Sequence, residues 1–232
     1  MSQTTYKDNP FLEQTIIDEL ESLQHKNESL WRIYGLGLQS QVEGLIFKRV
    51  ELVDVMPLSK RRFVGMDFGF ANDPTAIVEV IITDDTIFVN EVCYKTEMVA
   101  SDVIKEIKRQ FRGGRRGGWD EEQRIISESA DPRLIKEIHN AGINIIPVEK
   151  FQGSIDAGIN KMLEYKICIT RNSYNVIREF KNYTYEQDKG GKWLNKPVDA
   201  FNHAIDAIRY VVLTEILGKR KRKQDIAELF GR

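Results

Sequence analysis

The rhythm of apolar and polar positions changes near residue 62. Before that point Ile16, Ile17, Leu20 and Leu23 recur at helical spacing, and a second apolar segment follows around Leu30, Trp31 and Tyr34. Gly35, Gly37 and Gly44 interrupt the pattern. Residues 1–60 therefore read as a helical linker arm that packs on something else. From residue 62 the period shortens. RFVGMDFGF, TAIVEVIIT and TIFVNEVCY are β-rich runs separated by the turns ANDP and DD, the pattern of an antiparallel meander. SDVIKEIKRQF predicts a helix with Val103, Ile104, Ile107 and Phe111 on one face, and a Gly/Arg-rich loop follows over 112–118. QRIISES predicts a strand. In ADPRLIKEIHNAG, Asp131 is placed to cap a helix, Pro132 fits its first turn and Gly142 fits its stop. INIIPVEK and KICIT read as strands on either side of a helix in SIDAGINKMLEY. REFKNYTYEQDKGGKWLN has the form of a hairpin turning at Lys189-Gly190-Gly191, and a long helix is predicted from about Asp199 to Leu217. A three-strand antiparallel meander followed by βαβ units implies an α/β mixed sheet that adds parallel strands and is flanked by helices. The expected organisation is an arm over 1–60, a domain over 61–218 and a basic tail over 219–232.

Composition narrows the class without naming it. Hydrophobic residues make up 41% and charged residues 30%, an ordinary balance for a soluble globular chain. No apolar run approaches the ~18 residues of a membrane helix, and MSQTTYKDNPFLEQ lacks the layout of a secretory signal. Cys93 and Cys168 lie in strand-like runs without metal-binding spacing, so they read as buried free thiols in a reducing cytosol. The net charge of −1 argues neither for nor against nucleic acid.

Chemistry enters with three acids. Asp67 interrupts a strand-forming run, where an unpaired buried carboxylate is costly. Gly65 and Gly69 beside it permit close approach of a metal or a backbone, and the plain alternative is an edge-strand acid facing water. Glu128 stands at the C-terminal end of a predicted strand, where open α/β sheets collect ligands. Asp131, three residues on, is explained by capping and adds at most nearby negative potential. The last helix, DAFNHAIDAIRYVVLTEIL, is apolar almost all round and so expected to be buried. His203 and Asp206 form a polar island on it with Asp199 and Tyr210, satisfied either by an internal hydrogen bond to Tyr210 or an Arg, or by a cation. Clustered carboxylates repel one another unless a cation neutralises them. Hard divalent ions favour oxygen ligands, and two of them ~4 Å apart can act on the two sides of a phosphodiester. His203 then serves as a further ligand or as a proton-transfer group.

Two look-alikes fail. Asp67-Phe68-Gly69 matches a kinase triplet without the other kinase motifs, and no GxxxxGK[ST] is present for ATP hydrolysis. VGMDFGFANDPTA, SESADPRLIKEI and NKPVDAFNHAIDAIRY, in this order and spacing, resemble the nuclease domain of the large terminase subunit of tailed bacteriophages. The resemblance covers about residues 62–215, and residues 9–47 look like the family's linker from its ATPase domain. It implies an RNase H-like fold and a Mg²⁺- or Mn²⁺-dependent endonuclease that cuts concatemeric viral DNA by a two-metal hydrolysis. The family's Asp-Ser-Ala-Glu-Pro motif reads Glu128-Ser129-Ala130-Asp131-Pro132 here, so Glu128 takes the ligand role. The family's last acid falls on Asp206, one turn after His203. The catalytic and metal-binding set expected from residues and resemblance together is Asp67, Glu128, Asp206 and His203, with Asp131 as a weaker ligand.

The resemblance further implies a packaging complex in the host cytoplasm. Its expected partners are double-stranded DNA, the ATPase half of the terminase, the portal protein and a small terminase subunit. Without a P-loop half, the sequence is expected to cut DNA and not to translocate it unaided. Arg112, Arg115 and Arg116 in the Gly-rich loop, and Lys189 and Lys192 at the hairpin turn, are the candidate phosphate contacts. The run Lys219 to Lys223 is either a DNA- or portal-binding tail or a solvated basic segment. Two other readings compete: a non-catalytic DNA- or portal-docking module, and a resolvase- or transposase-like nuclease.

Overall fold

The three β-rich runs after residue 62 form the strands they predict. A computed structural model describes residues 44–59, 62–71, 73–111 and 123–218, with short pieces nearer the N-terminus at 6–8, 14, 17–18, 20–22 and 31. Arg112, Arg115, Arg116, the basic tail and most of the expected helical arm lie outside the described residues. The chain divides into a larger unit, residues 47–180 and 200–232, and a smaller one, residues 1–46 and 181–199.

In the larger unit β2 (Arg62–Asp67), β3 (Thr75–Ile82) and β4 (Thr86–Lys95) pair antiparallel. β5 (Ile125–Ser127) and β6 (Ile145–Pro147) extend the sheet in parallel beyond β2. β7 (Lys166–Thr170) and β1 (Val50–Val53) extend it in parallel beyond β4. The strand order is thus β1-β7-β4-β3-β2-β5-β6. The helices are α1 (Ala100–Gln110), α2 (Pro132–Asn140), α3 (Ser154–Leu163), α4 (Tyr174–Asn182) and α5 (His203–Val212), the last continued by a π turn over Leu213–Leu217.

Alternation along β2 sends its residues to two cores. Val64 and Met66 join Ile77, Val103, Ile107, Ile125 and Ile138 in one cluster with α1 and α2. On the opposite face α5 lies directly on the sheet, with Ala204, Ala207, Ile208 and Val211 buried. Gly65 makes this possible. A Cβ there would overlap the carbonyl oxygen of Ala207 and come within 2.7 Å of its carbonyl carbon. Of the two approaches Gly65 was expected to permit, the observed one is a backbone.

Three expectations change. Val50–Val53, assigned to the arm, is a strand of the sheet; VELV is too short, and too interrupted by charge, to stand out from the linker pattern. Residues 178–182, read as the start of a hairpin, belong to α4. The N-terminus of α4 is capped from far away: Glu91 of β4 accepts from the backbone of Asn175 (2.8 Å) and Val176 (3.1 Å), while the hydroxyl of Ser173, just before the helix, accepts from the N–H of Glu91 (2.7 Å). The final helix begins at His203 rather than near Asp199, because Phe201 adopts a positive φ of 55°.

In the smaller unit β8 (Tyr185–Gln187) and β9 (Trp193–Pro197) form an antiparallel hairpin. Asp188 closes its turn by accepting from the backbone of Gly190 and Lys192, both at 2.9 Å. The turn falls where the Lys189-Gly190-Gly191 signal places it, with Gly191 at φ 78°. Among the described residues no helix is long and apolar enough to cross a membrane. Cys93 and Cys168 are both buried and free, as expected.

Candidate functional site

Two of the three acids leave the sheet side by side. Asp67 ends β2 and Glu128 follows β5, its parallel neighbour. The N–H of Glu128 donates to the carbonyl of Met66 at 3.0 Å, which fixes the two carboxylates at adjacent strand ends. The third, Asp206, comes from the first turn of α5.

The start of α5 is held from outside. Its cap residue, Asn202, makes no side-chain capping bond. Instead Glu179 of α4, fully buried, accepts from the backbone N–H of Ile205 (3.0 Å) and from the hydroxyl of Tyr94 on β4 (2.8 Å). Burial pushes the Glu179 carboxyl up to about 6, although its backbone donors pull the other way. Because the folded value lies above the ordinary 4.5, the protonated form is the stabilising one, and its contribution is lost as pH rises through about 6. Glu179→Gln mimics that form. The variant should match the parent at about pH 4.5 and exceed it by about 2 kcal/mol above pH 6, as read from urea unfolding at several pH values. A stability gap that does not vary with pH would contradict this account.

Tyr210, one turn after Asp206 on α5, is the hub of the cluster. Its hydroxyl donates to Oδ1 of Asp67 at 3.0 Å. Burial first, and then the charges of Asp67, Asp206 and Glu128, push the phenol above its ordinary range, so all three acids act on the one hydroxyl. The other oxygen of Asp67 meets Nδ1 of His203 at 3.1 Å. That hydrogen bond raises the imidazole pKa, while burial opposes it. Nε2 of His203 lies 3.6 Å from Asp73, an exposed acid of the β2–β3 loop.

The remaining carboxylates are held by protein cations. Arg209 grips Asp206 with two nitrogens, at 3.1 and 2.8 Å, and is itself buried at 2% side-chain exposure. Lys150, in the loop after β6, binds Glu128 at 2.8 Å and stands 5.2 Å from the centre of the Tyr210 ring. Burial pushes the Asp206 carboxyl up; Asp67 adds to this, and Arg209 and Lys150 oppose it. The internal partner weighed for the polar island therefore exists: an arginine takes Asp206, and Tyr210 takes Asp67. Among the described residues no three of His, Cys, Asp and Glu stand as a ready-formed cage for an ion. The donor chemistry nonetheless fits hard divalent ions, with three carboxylates and an imidazole set against two permanent cations.

Asp131 is where its capping pattern puts it: its Oδ1 accepts from the backbone of Arg133 and Leu134, both at 3.1 Å. Lys189 and Lys192 lie in the hairpin of the smaller unit. Sequence reasoning missed Lys150, Arg209, Glu179 and Asp73. Arg209 carries the one signal that was available, its i,i+3 spacing from Asp206. Lys150 follows Glu149 in a loop and looks like any surface charge.

Known proteins resemble this chain in sequence and in fold. The large terminase subunit of Bacillus phage SPP1 is 30% identical over 221 residues, which is 90% of this chain and 51% of that protein. The PBSX phage terminase large subunit of Bacillus subtilis strain 168 is 26% identical, over 90% of this chain and 49% of that protein. The chain thus spans about half the length of these curated relatives. Among solved structures, the SPP1 large terminase nuclease domain with bound Mn superposes with a TM-score of 0.62 at 22% identity, covering 73% of this chain and 98% of that one. The large terminase of a thermophilic bacteriophage superposes at 0.60 with 19% identity, over 92% of this chain and 54% of that one. These likenesses establish the RNase H-like mixed sheet. Residues 1–38 match the family described as phage terminase large subunit. Residues 67–213, well over half of the sequence, match the family described as terminase RNase H-like domain, so the chain belongs to that family.

Proposed function

We propose that this chain is a divalent-metal-dependent DNA endonuclease that cuts concatemeric viral DNA during genome packaging. The observation that carries the reading is that Asp67 and Glu128 stand at adjacent strand ends while Tyr210, one turn after Asp206 on α5, ties that helix to Asp67. Asp67, Glu128 and Asp206 would hold two Mg²⁺ or Mn²⁺ ions, with His203 beside them; the SPP1 nuclease domain was solved with Mn, and that of the thermophilic phage G20c with magnesium. When bound, such ions neutralise the charge that develops on phosphodiester oxygens as the bond is cut.

The protein's own groups do the positioning. Tyr210 and His203 each hold one oxygen of Asp67, which leaves the carboxylate a single orientation. Arg209 fixes Asp206 in the same way. His203 keeps a proton on Nδ1 toward Asp67 and presents Nε2 to the outer side, where a substrate oxygen can exchange a proton with it. Asp131 serves α2 as its cap. Double-stranded DNA is the proposed substrate, with Lys189 and Lys192 among its phosphate contacts. The ATPase half of the terminase, the portal and a small subunit are the proposed partners, and the host cytoplasm is the proposed place of action.

A second reading, a non-catalytic docking module, draws on one observation: each of the three carboxylates already has a protein partner. Incubation of the chain with supercoiled plasmid separates the two. Cleavage with Mn²⁺ that stops with EDTA is expected; plasmid binding without cleavage at any metal concentration would leave only the docking role.

A further inference from the structure

The two cations that balance the acids differ in how firmly they are held. The stem of Arg209 crosses Gly158 of α3, where a Cβ would run into its Cγ and come within 2.8 Å of its Cδ. The guanidinium is buried, planar and doubly bonded to Asp206, so it cannot withdraw without parting α3 from α5. Lys150 is the opposite case. It rises from a loop, keeps 38% of its side chain exposed, and holds Glu128 through one ion pair. Its second attachment is the face of the Tyr210 ring at 5.2 Å. An ammonium is a compact point charge on a flexible stem, and a partly solvated pair of this kind is weak.

We propose that Lys150 is a displaceable counter-ion, seated on Glu128 until a divalent cation takes its place. The inference rests on the metal-site reading above and goes beyond it by assigning a role to a residue outside the ligand set. A cluster of acids left bare in the metal-free protein would be strained by mutual repulsion. Lys150 relieves that strain from the solvent side, where an entering ion also arrives, and its charge beside Oε1 of Glu128 repels that ion. The site therefore binds metal more weakly than its carboxylates alone would, and it stays ordered without metal. Arg209 remains in place in both states.

The test is calorimetric titration of Mn²⁺ into the full chain without DNA, for the parent and for Lys150→Met, Lys150→Gln and Lys150→Arg. Loss of the charge in the Met and Gln variants should tighten Mn²⁺ binding about three- to fivefold. The Arg variant, which retains the charge, should bind no tighter than the parent. Half-exposed Lys150 is a site where substitution leaves folding intact, and circular dichroism checks this for each variant. Unchanged or weaker Mn²⁺ binding by both uncharged variants, with saturable binding by the parent, overturns the counter-ion role and leaves the metal site standing. Absence of saturable binding by the parent overturns both.

Discussion

Asp67→Asn should reduce Mn²⁺-dependent plasmid cleavage by about 10³-fold or more while leaving the fold as stable as before. The two effects separate because Asp67 has two kinds of partner. Asn is nearly the same shape: its carbonyl oxygen can still accept from Tyr210, and its amide can donate to Nδ1 of His203 once that imidazole carries its proton on Nε2 instead. What it loses is a negative charge, at the point where the charges of Asp67 and Asp206 oppose each other. Removing that repulsion leaves stability unchanged or slightly raised. A divalent ion, however, loses its anionic ligand at the centre of the cluster. Cleavage rates and urea unfolding measured on the same preparation decide the matter: a variant within about tenfold of the parent's cleavage rate would remove Asp67 from the catalytic set.

Gly65→Ala should destabilise the larger unit by about 3 kcal/mol. The added Cβ meets the backbone of Ala207, not the tip of a side chain that can turn away, so α5 must lift from β2 or the strand must bend. For a domain of this size the loss corresponds to roughly 6–12 °C in Tm. Activity should fall with it, because Asp67 and Asp206 are carried by the two elements being forced apart. Differential scanning calorimetry reads the first effect. Cleavage by the residual folded fraction, at a temperature where the variant is still native, reads the second. An unaltered Tm would mean that the helix does not rest on Gly65 in solution.

Residues whose role is written in local spacing were readable before any coordinates. The meander follows from alternation, and α2 from the Asp131-Pro132 start and the Gly142 stop. Asp67 and Asp206 stand out as acids inside apolar patterns. What escaped reading depends on chain distance. Glu91 and Glu179 reach the N-termini of α4 and α5 from other elements, and no window of sequence joins those residues. The escape of Lys150 has the same cause: it matters only because β6 ends beside β5, which brings the following loop to Glu128. β1 illustrates a different limit, since a four-residue strand completed by pairing with β7 has too few positions to show a period.

The uneven match of acids and cations around Tyr210 has an electrostatic consequence for the substrate. Asp67, Glu128 and Asp206, with Asp73 beside His203, outnumber Lys150 and Arg209, so with His203 neutral this cluster is negative and repels a phosphate backbone. On the metal-site reading, one divalent ion offsets that excess and a second reverses the sign of the local field. On that reading a phosphate backbone approaches a loaded centre more readily than an empty one, through charge alone and with no moving part.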